Sequence, residues 1–285
     1  MKLSIKKILV PTDFSEISYA ALEYAAFVAK SFGAKITLLH VYEHFDSNAH
    51  QVITNYTELI EEGIRKKMDD IKNDNTNLWG VKIETKIVNG KTYREIESAV
   101  KELGIDLVVM GTHGAQSVVK SLEKYFLGTN AYRTVHESSC PVLTVRKRGK
   151  KLECGNILLP LDLTKESGQK TDFAIEWAKT FKSKVHLLAV TELLDEFISD
   201  VNRLSELVKT TENRLIKENI PYTVKMYRNA NVSKTVMSHA KKMACDLILI
   251  MSQKDSTFGE FLVPAADRKV IGESEINVLS LRPKA

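Results

Sequence analysis

The sequence predicts an α/β fold built twice, as two tandem open parallel-sheet domains in one chain of 285 residues. Two observations carry that prediction. The first is an internal repeat. Lys7-Ile8-Leu9-Val10-Pro11-Thr12-Asp13 returns as Asn156-Ile157-Leu158-Leu159-Pro160-Leu161-Asp162, and Ile36–Glu43 returns as Val185–Glu192, both 149 residues later. Asp106-Leu107-Val108-Val109-Met110 returns as Asp246-Leu247-Ile248-Leu249-Ile250 after 140 residues, and Val142–Arg146 returns as Val278–Arg282 after 136. Matches in one order along the whole chain mark a duplication. The second observation is alternation. The matched segments are short β-branched runs, apolar on both faces like buried parallel strands, and amphipathic stretches separate them. Such a pattern folds as a parallel sheet covered by helices on both sides.

Taken in order, each repeat reads β-α-β-α-β-α-β. The first helix spans Ser15 to Phe32, with Ile17, Ala21, Tyr24 and Val28 at helical spacing. Ser15 or Ser18 caps its start, and Gly33 ends it with the left-handed conformation that glycine permits. Repeat two places Phe173, Trp177 and Phe181 the same way, after Thr164. Second helices are expected over Thr54–Lys72 and Phe197–Glu218, and third helices over Lys91–Leu103 and Val232–Met243. Their apolar stripes, Trp79 and Trp177 included, read as core. The domains divide as 1–148 and 152–285.

Composition excludes several classes. Hydrophobic residues make up 44% and charged residues 27% of the chain, enough to build a core in each half. No apolar run is long enough to span a bilayer, and the first residues lead into a strand, so we expect a cytoplasmic protein and no membrane partner. The net charge of +5 is shared about evenly between the halves, without the dense basic stripe of a nucleic-acid binder. Its one clump, Arg146 to Lys151, falls where a linker is expected. Cys140, Cys154 and Cys245 lack metal-site spacing and argue for a reducing compartment. Neither a Walker pattern nor a nucleophile elbow is present. His40 and His44 lie four apart on a strand end, which makes a poor metal pair.

Ligands of open parallel sheets bind beyond the carboxyl ends of the strands, where strand order reverses. In repeat one, Pro11-Thr12-Asp13 puts a carboxylate at the tip of strand one, suited to accept hydrogen bonds from ribose hydroxyls. Strand two ends near Val41, whose backbone suits an adenine edge. Strand four runs into Met110-Gly111-Thr112-His113-Gly114, and Gly128-Thr129-Asn130 then opens another helix. Glycines let the backbone approach phosphate oxygens, and a helix N-terminus offers unpaired N–H groups.

These residues resemble the universal stress protein family, whose domains open with a strand of the form ILVPTD and carry G-x2-G-x9-G-[S/T]. The resemblance covers nearly the whole chain. It implies the Rossmann-like, adenine nucleotide alpha hydrolase-like fold. It also implies ATP as ligand, with ADP and AMP as alternatives and Mg²⁺ as companion. Phosphates would lie at Gly111, Gly114, Gly128, Thr129 and Asn130, ribose at Asp13, and adenine at Val41, with Pro11 and Thr12 as wall. The family's final strands commonly pair across a dimer axis. Here Val142–Val145 and Val278–Leu281 are placed to pair within one chain as a pseudo-dimer, and further homo-oligomers remain open.

Two departures qualify the resemblance. Thirteen residues separate Gly114 from Gly128 where the pattern has nine. The extra four, about one helical turn, either lengthen the loop as a flap over the phosphates or displace Gly128-Thr129. In repeat two, Met251-Ser252-Gln253-Lys254 and Val263-Pro264-Ala265 stand in place of the glycine motif. We therefore expect no ATP there, although Asp162 survives. The resulting expectation is a stress-response nucleotide-binding protein rather than an enzyme. The rival readings are slow ATP hydrolysis and an interaction module without nucleotide.

Overall fold

Among the described residues each repeat holds five strands and four helices, two elements more than the β-α-β-α-β-α-β reading counted. The strand between the second and third helices has no bounds in that reading. The structure, a computed structural model, describes residues 3–43, 52–112, 128–146, 152–163, 167–191, 198–252 and 265–283. Repeat one runs β1 (Lys7–Pro11), α1 (Glu16–Phe32), β2 (Lys35–Tyr42), α2 (Val52–Trp79), β3 (Ile83–Asn89), α3 (Thr92–Leu103), β4 (Leu107–Gly111), α4 (Thr129–Glu137) and β5 (Val142–Val145). Repeat two runs β6 (Asn156–Leu161), α5 (Ser167–Phe181), β7 (Lys184–Val190), α6 (Ile198–Lys217), β8 (Tyr222–Tyr227), α7 (Val232–Lys242), β9 (Leu247–Met251), α8 (Ala265–Glu273) and β10 (Asn277–Leu281).

Local chemistry sets the ends of these elements. Ser15 caps α1 by accepting the Ser18 N–H at 3.2 Å, and Gly33 at φ 66° closes it with its N–H on Ala29 O. Helix α2 extends seven residues past the expected end at Lys72, to Trp79. Met68 and Ile71 enter the core and Trp79 packs against its edge. One carboxylate per repeat ties the starts of two strands together. Asp106 accepts from the Lys6 and Lys7 amides at 2.7 and 2.9 Å, and Asp246 accepts from the Asn156 amide at 2.9 Å. This bond explains why an Asp opens the third matched segment in both copies.

The strands form one sheet in the order β3-β2-β1-β4-β5-β10-β9-β6-β7-β8. Pairing is parallel throughout except at the centre, where β5 and β10 run antiparallel with Leu143 opposite Leu279. The intramolecular pseudo-dimer expected from the sequence is therefore present as a continuous sheet. Alternate side chains build two cores. Ile8, Val10, Leu107 and Ile157 face α1, α2, α5 and α6. Leu9, Val108, Leu158 and Ile248 face α3, α4, α7 and α8. Each fully buried aliphatic side chain contributes about 1.5–3 kcal/mol.

The two repeats are joined on both faces of the sheet. On one, Phe27 and Phe32 of α1 pack against Phe181 and Trp177 of α5, with centroids 5.1 and 5.5 Å apart. On the other, equivalent arginines exchange helix carbonyls. Arg282 Nε donates to Ser138 O beyond α4 at 2.8 Å, and Arg146 donates to Ile271 O at 2.8 Å and to Gly272 O in α8. Arg146 is thus part of the repeat interface, correcting its assignment to a linker. It is burial that lowers its pKa to about 10, so it stays charged at neutral pH.

Candidate functional site

Strand order reverses between β1 and β4, and a cavity of about 480 Å³ opens above their carboxyl ends. Pro11, Thr12 and Asp13 border it from β1, Val41 from β2 and Gly111 from β4. Gly128, Thr129 and Asn130 border it from the start of α4. Every nominated residue within the described chain therefore reaches one cavity. Gly114, and with it His113 and the segment Ala115 to Leu127, lies outside the described residues, so the effect of the four-residue insertion is not placed.

The tip of β1 is held from several directions. Thr12 N–H donates to Leu39 O at 2.8 Å, and His40 Nδ1–H donates to Thr12 O at 2.8 Å. Because the carbonyl can only accept, this bond fixes the His40 tautomer. Burial lowers the His40 pKa, against opposing contributions from Thr12 and Asp13. Phe14 follows Asp13 at φ 64°, a left-handed conformation that bulky residues rarely adopt. It is stacked on His40 at 4.5 Å and sits under the Lys67 ammonium at 4.5 Å. Asp13 Oδ1 accepts from the Ser15 amide at 3.1 Å and from Ser15 Oγ at 2.6 Å. The helix cap and the site carboxylate are thus one small network.

Both described glycines of the motif also have roles within the fold. A Cβ on Gly111 would lie 2.4 Å from Ile17 Cγ2, so α1 itself requires glycine at that point. Gly128 sits at φ −59°, a conformation open to any residue. Its N–H donates to Thr112 O at 2.8 Å, so that amide is already bonded. The amides of Thr129, Asn130 and Ala131 form the first turn of α4, and such groups have no acceptor within the helix.

Sequence reasoning missed Ser18, Leu39, Thr92, Met110, Thr112 and Ala131, which also border the cavity. Ser18 bonds Thr12 Oγ1 at 3.0 Å. Thr92 was hidden because α3 reaches the site only through tertiary packing. For Thr112 a signal existed: it aligns with Ser252 in repeat two. Both are buried, and both donate their amides to the end of the last strand, Val145 O and Leu281 O.

In repeat two the corresponding region holds a different arrangement. Lys170, aligned with Ala21 of repeat one, is fully buried and places its ammonium 2.7 Å from Asp162 Oδ2. Ser167 Oγ adds a bond to Asp162 Oδ1 at 2.8 Å. The surviving carboxylate is therefore engaged by an internal cation. Met251 ends β9 where Gly111 ends β4. Residues 253–264, including Lys254 and Pro264, lie outside the described chain.

The chemistry of the remaining groups is quiet. Burial pushes the Cys140 thiol up to about 11 and those of Cys154 and Cys245 to about 12. All three are free, and none borders the cavity. His44 and His50 lie outside the described residues. Among the described residues no helix is long and apolar enough to cross a membrane.

Comparison with known proteins follows the same division of the chain. The model of the universal stress protein family matches residues 4–146 and again 154–282. A universal stress protein of Methanocaldococcus jannaschii is 33% identical over 149 residues, covering 51% of this chain and 85% of that protein. The universal stress protein YxiE of Bacillus subtilis is 29% identical over 150 residues, covering 49% of this chain and 98% of that protein. A crystal structure of a universal stress protein from Archaeoglobus fulgidus matches with TM-score 0.76 at 20% identity, covering 97% of this chain and 98% of that one. At that identity the likeness speaks to the fold alone.

Proposed function

This chain is a tandem member of the universal stress protein family, and from that premise we propose that repeat one binds an adenine nucleotide while repeat two serves as its fixed partner. The observation that carries the reading is the convergence of Asp13, Val41, Gly111, Thr129 and Asn130 on one cavity of about 480 Å³. That volume lies in the usual range for small-molecule sites, about 300–1,000 Å³.

Each residue has a definite task. Asp13, already oriented by Ser15, accepts from ribose hydroxyls. The end of β2 at Val41 presents backbone groups to the adenine edge, with Leu39 and Met110 as apolar neighbours. The first turn of α4 offers its amides and the Thr129 hydroxyl to phosphate oxygens, and the helix dipole favours the negative charge. ATP is the ligand we expect, with Mg²⁺ balancing its charge.

Binding, rather than turnover, is the role the cavity favours. Asp13 is the one carboxylate among the described lining residues, and it accepts hydrogen bonds from the Ser15 amide and hydroxyl. We place the protein in the cytoplasm as a nucleotide-responsive regulator. Calorimetric titration with ATP and Mg²⁺ tests this reading. Binding near one site per chain, weakened about tenfold or more by Asp13→Ala through loss of charge-assisted bonds, is the expected result. Absence of binding by the unaltered protein would overturn it.

A further inference from the structure

Beside the cavity, at the start of α3, two arginines gather on one tyrosine ring. Arg133 of α4 lies over the Tyr93 ring, its guanidinium carbon 4.6 Å from the centroid. Arg94 lies at 5.9 Å from the same centroid, and its Nε donates to Tyr93 Oη at 3.2 Å. Neither arginine is in an ion pair with a carboxylate among the described residues; both lie against the Tyr93 ring instead. Of the three acidic groups of α3, Glu95 lies against Gly90 and the other two are turned to other partners. Glu97 takes Lys101 at 3.1 Å and the Ser139 amide at 3.0 Å, and Glu102 takes Lys86 at 2.5 Å. The hydrogen bond from Arg94, followed by the charges of both arginines, lowers the Tyr93 pKa, a sign of local positive potential.

Position gives this cluster its meaning. Thr92 borders the cavity and immediately precedes Tyr93. Asn130 and Thr129 border it as well, and Arg133 follows them by three and four residues, on the same face of α4. Helical side chains lean toward the N-terminus, which carries Arg133 toward the open end. Repeat two lacks the platform, since Ser233 aligns with Tyr93.

We propose that Arg94 and Arg133, held by Tyr93 at the mouth of the cavity, form an anion subsite that takes the distal phosphates of a bound nucleotide. The proposal rests on the nucleotide reading of the cavity and extends it to phosphate-chain length. Guanidinium groups match phosphate oxygens through paired N–H bonds, and stacking on an aromatic ring holds them ready before the ligand arrives. A nucleoside has no group to place there, and a triphosphate does.

The test compares ATP and adenosine by calorimetry on the unaltered protein, Arg133→Ala, Arg133→Lys and Arg94→Ala, with thermal midpoints as a check of folding. Expected is a loss of about tenfold in ATP affinity for each alanine variant with adenosine affinity unchanged, and partial recovery in Arg133→Lys. Equal losses for ATP and adenosine, or no loss for ATP, would overturn the subsite. A second arm uses tripolyphosphate alone and follows the arginine Nε–H signals by NMR. Perturbation of Arg94 and Arg133 ahead of Arg203 and Arg228 supports the subsite, and its absence overturns it. If the unaltered protein binds no adenine nucleotide, the nucleotide reading fails, and the tripolyphosphate arm still decides the subsite by itself.

Discussion

The two repeats share strand order and helix pairing, yet they treat the tip of their first strand in opposite ways. In repeat one, Asp13 borders an open cavity and the small Ala21 of α1 is fully buried. In repeat two, Asp162 is engaged by the buried ammonium of Lys170, which stands where Ala21 does. The scaffold is the same in both copies, and one helix position holds a methyl in repeat one and a cation in repeat two. The difference teaches that a surviving motif residue need not mean a surviving site: the same aspartate serves as a wall of a cavity in one copy and as an internal counter-ion in the other.

The largest expected effect breaks the comparison at repeat one. In Gly111→Val the new Cβ meets Ile17 Cγ2, so α1 must shift away from β4. Overpacking of this kind costs about 1–3 kcal/mol, and nucleotide binding should be lost with it. Urea denaturation and calorimetry measure both, and adding Ile17→Ala should restore much of the stability. Failure of that rescue would show that the glycine is needed for another reason.

A somewhat smaller effect sharpens the role of repeat two. Asp162→Ala leaves the Lys170 ammonium buried without its carboxylate. Removing one side of a fully buried pair costs about 3–5 kcal/mol, and partial exposure of Asp162 reduces this to about 2 kcal/mol. Nucleotide stoichiometry should be unchanged in this variant. Lys170→Ala, which restores the residue of repeat one, should cost less than Asp162→Ala. The reverse ranking in chemical denaturation would contradict the counter-ion assignment.

The seam offers a third measure. Arg282→Met removes the bond to Ser138 O, and about 1–2 kcal/mol of stability should go with it. Loss of cooperativity between the repeats, seen as two resolved thermal transitions, would show that this arginine couples them.

The smallest effect depends on pH. His186 of β7 and His239 of α7 are buried in repeat two, where repeat one has Thr37 and Ala99. His186 bonds Thr223 and Asn156, and His239 faces Tyr227. Burial lowers both pKa values, with Lys184, Lys225 and Lys242 adding to the effect. The unfolded chain then binds more protons than the native one below about pH 6.5, so stability is full above that value and falls as the pH drops through it. Thermal midpoints should decline between pH 7 and 5, and His186→Thr with His239→Ala should flatten the decline. An unchanged slope would assign acid sensitivity to other groups.

Sequence by itself determined the duplication, the α/β class, four of the strands in each repeat, a serine cap at Ser15 or Ser18 and the stop at Gly33. These follow from local pattern: β-branched runs, helical spacing and the conformational freedom of one glycine. It also brought Asp13, Val41 and Thr129 forward as partners in one site, because strand ends in an open parallel sheet converge where their order reverses. Tertiary structure alone decided what those positions do. Only the approach of α1 shows that Gly111 answers to Ile17, and only the turn before α4 shows that the Gly128 amide is bonded to Thr112. The swap of Ala21 for Lys170 was readable in the repeat alignment. Its consequence was not, because the reach of a lysine and the position of its partner carboxylate depend on how α5 lies against β6. Contacts between distant segments carry no local signature, so the scaffold was legible and the fate of each site was not.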